Sequence, residues 1–265
     1  MSGLPRSGST LLVNLLNQHP CVYASPHSNL LDGLWALDQT FAISEAINYQ
    51  LRVNAYKNIV KNLPQVFYAD INKEIIIDKQ FTWTTPANYD LALKISESPR
   101  FIVCYRPILE VLASFVTKAI KNSNFFLNQD LDNSIFYPKL YLSRNDALAE
   151  FLMQRHGLIE KSLLGLAHAK QREASGEFKF ISYDALVKDP RNVLSSLFEF
   201  LMIEPYNVKI KDLKNIFQYT DSNVVGIEDF HQIRPQIKKE STKPEDLFSD
   251  FILSKYNNAL APIGF

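Results

Sequence analysis

Near the head of a 265-residue chain, Gly3-Leu4-Pro5-Arg6-Ser7-Gly8-Ser9-Thr10 places two glycines five positions apart, directly before an apolar run. Glycines so spaced let backbone N–H groups curl round an anion, and a helix that follows aims its positive end at the same point. The spacing is that of the G-x-x-x-x-G-K-[ST] phosphate loop, with Ser9 standing where the lysine belongs. Since that lysine reaches the β- and γ-phosphates of a triphosphate, its replacement points toward a single 5′-phosphate group instead. Arg6 then serves as the fixed cation, with the hydroxyls of Ser7, Ser9 and Thr10 as donors. Leu11, Leu12, Leu15 and Leu16 predict a helix up to Gln18, which His19-Pro20 ends. The same glycines also suit a plain turn before a helix, so the loop needs support from other segments.

Composition narrows the partners. Lysine plus arginine and aspartate plus glutamate number 28 each, so no global basic field exists and nucleic acid is not an expected partner. Any anion is bound by local design. Cys21 and Cys104 lie far apart without metal-ligand spacing, no apolar leader precedes the loop, and no apolar stretch is long enough for stable membrane insertion. A reducing, cytoplasmic location is expected. With 46% hydrophobic residues and a uniform composition, residues 1–265 read as a single domain, of unspecified oligomeric state.

Short apolar runs at Glu74–Asp78, Arg100–Tyr105 and Phe178–Ser182 read as buried strands alternating with helical patterns. Helices are expected over Asn29–Phe41, Ser44–Lys61, Ala87–Glu97, Leu109–Lys121, Lys139–Glu173, Pro190–Leu201 and Asp246–Leu260. The alternation predicts an α/β fold: a P-loop-like three-layer α/β/α arrangement with a central, mainly parallel sheet and helical insertions. Only Met1, Ser2 and Gly3 are available for the strand that delivers the phosphate loop. The helical region 29–70 and the aperiodic segment 122–138 are the expected acceptor-side regions.

In open parallel sheets, ligands bind beyond the carboxyl ends of the strands. The residues found there are Asp78-Lys79, Arg106-Pro107 and Tyr183-Asp184. Ser114 follows Arg106 by eight positions, about two turns up the next helix, with Lys118 a further turn on, so a second phosphate fits between Arg106 and Ser114. Each residue also has a plainer use. Lys79 suits an exposed pair with Asp78, Arg106 a pair with Glu110, and Tyr183 simple packing. His19, His156, His168 and His231 show no metal spacing, and no metal is expected.

Two anion sites, a tyrosine near a base and no triphosphate lysine together resemble the sulfotransferase family, in its bacterial and phage-type group that is similar to tyrosylprotein sulfotransferases. The 5′-phosphosulfate loop is matched by Gly3 to Thr10, and the 3′-phosphate motif by Arg106 with Ser114. Ser182-Tyr183-Asp184-Ala185-Leu186 with Asp189-Pro190 resembles Y-E-x-L…D-P, and His231-Gln232-Ile233-Arg234-Pro235 a late phosphate-contacting loop. The resemblance implies 3′-phosphoadenosine 5′-phosphosulfate (PAPS) as sulfonate donor and the bisphosphate PAP as product. It further implies Arg6, Ser7, Gly8, Ser9 and Thr10 on the 5′ end, and Arg106, Ser114 and Lys118 on the 3′ end. Tyr183 is placed near adenine and Arg234 on phosphate. Lys79 is the implied charge-stabilising lysine, and His27 stands where those enzymes carry a catalytic carboxylate. A histidine in Ser25-Pro26-His27-Ser28 equally suits a loop residue bonding backbone. The acidic residue of Arg-Asp-Pro is missing at Arg106-Pro107, and Asp184 stands in for a glutamate.

The expected reaction is in-line transfer of a sulfonate to a hydroxyl or amine of a small-molecule, sugar, lipid or peptide acceptor. A P-loop kinase-like phosphotransferase, with Asp78 or Asp184 as magnesium ligand, and a non-catalytic nucleotide-binding module are the alternatives.

Overall fold

The computed structural model describes residues 1–42, 50–121, 143–217, 231–239 and 242–265, so the segment 122–138 and residues 43–49 of the region 29–70 lie outside the described residues. Strand β1 (Ser2–Gly3) leads through the glycine loop into α1 (Ser9–Leu16), and β2 (Val22–Ala24) is followed by α2 (Leu30–Ala42) and α3 (Gln50–Phe67). Then come β3 (Ile75–Ile77), α4 (Pro86–Ile95), β4 (Phe101–Tyr105) and α5 (Ile108–Lys121). Helices α6 (Arg144–Leu152) and α7 (Leu158–Gln171) precede β5 (Phe178–Ser182), and α8 (Tyr183–Lys188), α9 (Pro190–Leu201) and α10 (Asp250–Tyr256) follow it.

All strand pairs are parallel: β1 beside β4, β4 beside β5, and β2 beside β3. The short β1 also joins the two sheets. The Met1 N–H donates to Asp78 O, Gln80 N–H to Met1 O and Gly3 N–H to Phe81 O, so the chain leaving β3 runs along the free edge of β1. The β2-β3 pair thus lies beside the β1-β4-β5 sheet, in a mixed α/β architecture whose central sheet is parallel and faces helices on both sides.

Strand β4 shows why the layers form. Its apolar run has no polar face, so alternate residues enter different cores. Phe101 and Val103 pack with Leu112, Val116, Leu148 and Leu166, whereas Ile102 and Cys104 pack with Leu12, Leu16, Leu194 and Leu197. No helix among the described residues is long and apolar enough to cross a membrane.

Several element boundaries differ from expectation. The long helix expected over Lys139–Glu173 is two helices, because His156 takes φ 64 and Gly157 begins α7 as its N-cap. The helix expected over Asp246–Leu260 is only Asp250–Tyr256, preceded by a 3-10 turn over Pro244–Asp246. Strand β2 and helix α8 were not expected. Asn17 completes the free edge of β2 by donating to Ala24 O and accepting from Ala24 N–H, which lets a three-residue strand persist.

Candidate functional site

The glycine loop is shaped by its backbone. Gly3 sits at φ 114 against β4, Leu4 N–H donates to Cys104 O at 2.8 Å, and Arg6 and Gly8 take φ 59 and 85 with Ser7 between them. Left-handed residues alternating with an ordinary one turn successive N–H groups toward one point, an anion-binding concavity. A Cβ on Gly8 would stand 2.9 Å from Tyr183 Cδ2. Gly8 is the N-cap of α1 and no side chain among the described residues caps it, which leaves first-turn amides as donors for a ligand.

Around this concavity lies a cavity lined by Arg6, Gly8, Ser9 and Thr10 from the loop, and by Arg106, Ser114 and Lys118 from the β4–α5 junction and α5. Tyr183 and Phe81 add aromatic wall, and a strap of residues 231–238 closes one side. Ser7 does not present its hydroxyl here: it donates to Leu4 O and holds the loop's curvature instead. Arg6 and Ser114, expected at opposite ends of a ligand, are joined by an Arg6 Nε–H bond to Ser114 Oγ at 3.1 Å. The two expected anion subsites would therefore share a wall.

Arg106 is buried, and its guanidinium is fixed three ways. Nε–H donates to Glu110 Oε2 at 2.9 Å, a second N–H donates to Arg6 O at 3.2 Å, and Cζ lies 4.1 Å from the centre of the Tyr183 ring. The pairing with Glu110 and the placement in the cavity thus coexist. Tyr183 has Arg106 on its ring face and Gly8 at its edge, so it orients the arginine.

The strap is tied down along its length. Leu213 N–H donates to Pro235 O, Ile233 N–H donates to Asn215 Oδ1, and Lys211 bridges to Gln236. At its end Lys239 donates to Glu110 Oε1 at 3.0 Å and pairs with Asp184 Oδ1 at 2.7 Å. Arg234 lies on the strap, as does His231, which heads the same phosphate-contacting motif but groups with the histidines that show no metal spacing. Glu110 and Lys239, which frame the site without lining it, were not expected to act together.

Lys79 is the deepest functional candidate. Its side chain is 1% exposed, its Nζ has no hydrogen-bond partner among the described residues, and the Phe81 ring lies 5.7 Å away. Burial, with Arg6 nearby, lowers its pKa to about 8. It does not pair with Asp78, whose carboxylate accepts from Ser28 Oγ, Tyr68 OH and Trp83 Nε1. His27 is exposed and lines no part of the cavity, yet it feels Lys79: partial desolvation first, then that ammonium, lowers its pKa below the usual histidine value. The shift favours the neutral imidazole, the form that can accept a proton.

A buried amine without a partner costs several kcal/mol unless a ligand completes it. With Arg6 and Phe81 both lining the cavity and near Lys79, the residues present fit an anion bound on the phosphate loop.

Comparison with known proteins gives the family. The model of a family described as the sulfotransferase family matches residues 1–207. The sulfotransferase domain of the Synechococcus PCC 7002 olefin synthase is 19% identical, with 98% of this chain and 92% of that one covered at a TM-score of 0.55. The sulfotransferase domain from the curacin biosynthetic pathway is 22% identical over 78% of this chain and 73% of that one, TM-score 0.49. A sulfotransferase from Mycobacterium avium is 12% identical over 98% and 75%, TM-score 0.48. No curated protein matches.

Proposed function

Because the chain belongs to the sulfotransferase family, we propose that it moves a sulfonate group from PAPS to a hydroxyl or amine acceptor by in-line displacement, releasing PAP. The observation that carries this reading is the buried Lys79 amine, without a hydrogen-bond partner among the described residues, near a lysine-free phosphate loop. When bound, the donor supplies an activated sulfonate whose leaving group is a phosphate. The loop amides, Arg6, Ser9 and Thr10 hold that 5′ end at the positive end of α1. Arg106, Ser114, Lys118 and Arg234 hold the 3′-phosphate. Lys79 neutralises the charge that grows on the leaving oxygen, in a dry setting where one fixed cation is most effective. His27 takes the acceptor proton at its neutral ring nitrogen. Positioning and charge stabilisation suffice for a loose transition state, and no metal is assigned a role.

The kinase-like alternative is the weaker reading, since its magnesium-ligand candidates already have partners: Asp78 accepts from Ser28, Tyr68 and Trp83, and Asp184 pairs with Lys239. We take residues 1–265 to work as one domain in the cytoplasm, with 29–70 and 122–138 on the acceptor side and a small-molecule, sugar, lipid or peptide acceptor.

Two measurements test the proposal. PAP should raise the melting temperature, whereas ATP with magnesium should not. Radiolabelled sulfonate from PAPS should appear on at least one member of a panel containing a phenol, a primary alcohol, a sugar, a long-chain alcohol and a tyrosine peptide. In that assay His27→Ala should lower turnover by about two to four orders of magnitude with PAP affinity retained. A stronger shift with ATP would mark a kinase-like protein; PAP binding with no transfer would mark a binding module.

A further inference from the structure

Asp78 and Lys79 are neighbours that do opposite things. Lys79 lies behind Phe81 of the cavity wall with an amine that has no hydrogen-bond partner among the described residues, while the Asp78 carboxylate gathers hydroxyl and indole donors from three separate segments: Ser28 before α2, Tyr68 after α3 and Trp83 before α4. Three neutral donors on one carboxylate make a rigid anchor without neutralising its charge.

His27 lies in the loop this anchor holds. Ser25, at one shoulder of Ser25-Pro26-His27-Ser28, donates its N–H to Ile77 O and accepts from the Lys79 N–H through Oγ, both at 2.9 Å. Ser28, at the other shoulder, donates to Asp78 and accepts from Leu30 N–H at the start of α2. Pro26 removes backbone freedom between them. Each flank of His27 is thereby fastened to the strand end that carries Lys79, although the imidazole itself is exposed.

We infer that Asp78 is a positioning residue for this reaction: through Ser28 it fixes the distance between the imidazole of His27 and the amine of Lys79. The inference rests on the reading of those two residues as base and charge stabiliser. A base and an electrophile carried on separate segments need such a strut, because a displacement of about 1 Å costs roughly a hundredfold in rate. The carboxylate has a second, separable effect. His27 is faced by Asp32 and Asp78, which raise its pKa, and by Lys79, which lowers it. A base works when unprotonated, so the rate rises as pH climbs through its pKa; deleting the Asp78 charge moves that acid limb to lower pH.

The test compares Asp78→Asn, Ser28→Ala and Ser28→Thr with the unaltered protein. It uses radiolabelled PAPS with the panel acceptor of highest turnover, and PAP titration for the donor site. Asp78→Asn and Ser28→Ala should lower kcat about 10- to 100-fold with PAP affinity within about twofold, and Ser28→Thr should restore the rate. Only Asp78→Asn should move the acid limb of kcat/KM. Unchanged kcat in Ser28→Ala, or a slowed Asp78→Asn with an unmoved limb, overturns the inference. If Asp78→Asn does not fold, the serine pair decides alone: loss with alanine and recovery with threonine supports it, and equal rates overturn it. Failure of the unaltered protein to bind PAP strikes the proposed function itself.

Discussion

At the scale of single residues, the buried Lys79 carries a stability cost. Its folded pKa of about 8 lies below the usual 10.5, so between those values the unfolded chain binds more protons and stability rises with pH. Below about pH 8 the ammonium is charged in both states, and its burial costs on the order of 3 kcal/mol, since each pH unit of displacement is about 1.4 kcal/mol. A bound anion reverses the balance by favouring the charged amine. PAP affinity should therefore fall as pH rises from 7 to 9.5, with net proton uptake on binding near pH 8.5. Lys79→Met should remove the uptake, raise the melting temperature of the unliganded protein at pH 7 by about 5 °C and abolish transfer. Calorimetry in buffers of different ionisation enthalpy reads the protons directly; identical uptake in Lys79→Met would assign them elsewhere.

At the scale of elements, the strap and α5 are coupled through Glu110, which grips Arg106 with one oxygen and Lys239 with the other. Lys239 is half-exposed, so its pairs with Glu110 and Asp184 add little to folding, and its effect should be on how long the strap stays shut. Lys239→Met should speed PAP release about three- to tenfold, leave the melting temperature within about 1 °C, and make release less salt-sensitive than in the unaltered protein. Stopped-flow displacement measures this, and equal off-rates at low and high salt in both proteins would disconnect the clasp from the cavity.

Such pairings also mark how far the sequence could be read. The loop Gly3–Thr10 and the reactive residues after β3, β4 and β5 were legible, because glycine geometry and strand ends are local properties. The clasp was not, since Lys239 lies 129 residues beyond Glu110, and sequence distance carries no information on that contact. The break between α6 and α7 was missed for a different reason: His156 adopts a left-handed conformation that its residue type only weakly announces. Strand β2 was too short for periodicity to detect, and it survives because Asn17 mimics a neighbouring strand.

At the scale of the molecule, two cores meet along one very short strand. Gly3 lies where β1 presses on β4, and a Cβ there would stand 2.0 Å from Cys104 O and 2.6 Å from Cys104 N. Neither atom can yield, because β4 is hydrogen-bonded on both sides and sends residues into both cores. Gly176 provides the control: it also has a positive φ, at 76, but nothing lies within 4 Å of its absent Cβ. Gly176→Ala should thus register backbone strain alone, about 1 kcal/mol, whereas Gly3→Ala should add displacement of β1 from the sheet and cost more than about 4 kcal/mol. Because β1 delivers the phosphate loop, the second variant should also lose PAP binding under conditions where its helices are still formed. Thermal melts and PAP titrations on the pair measure both effects. Equal destabilisation would show that backbone conformation, and not the β1–β4 contact, makes glycine necessary at position 3.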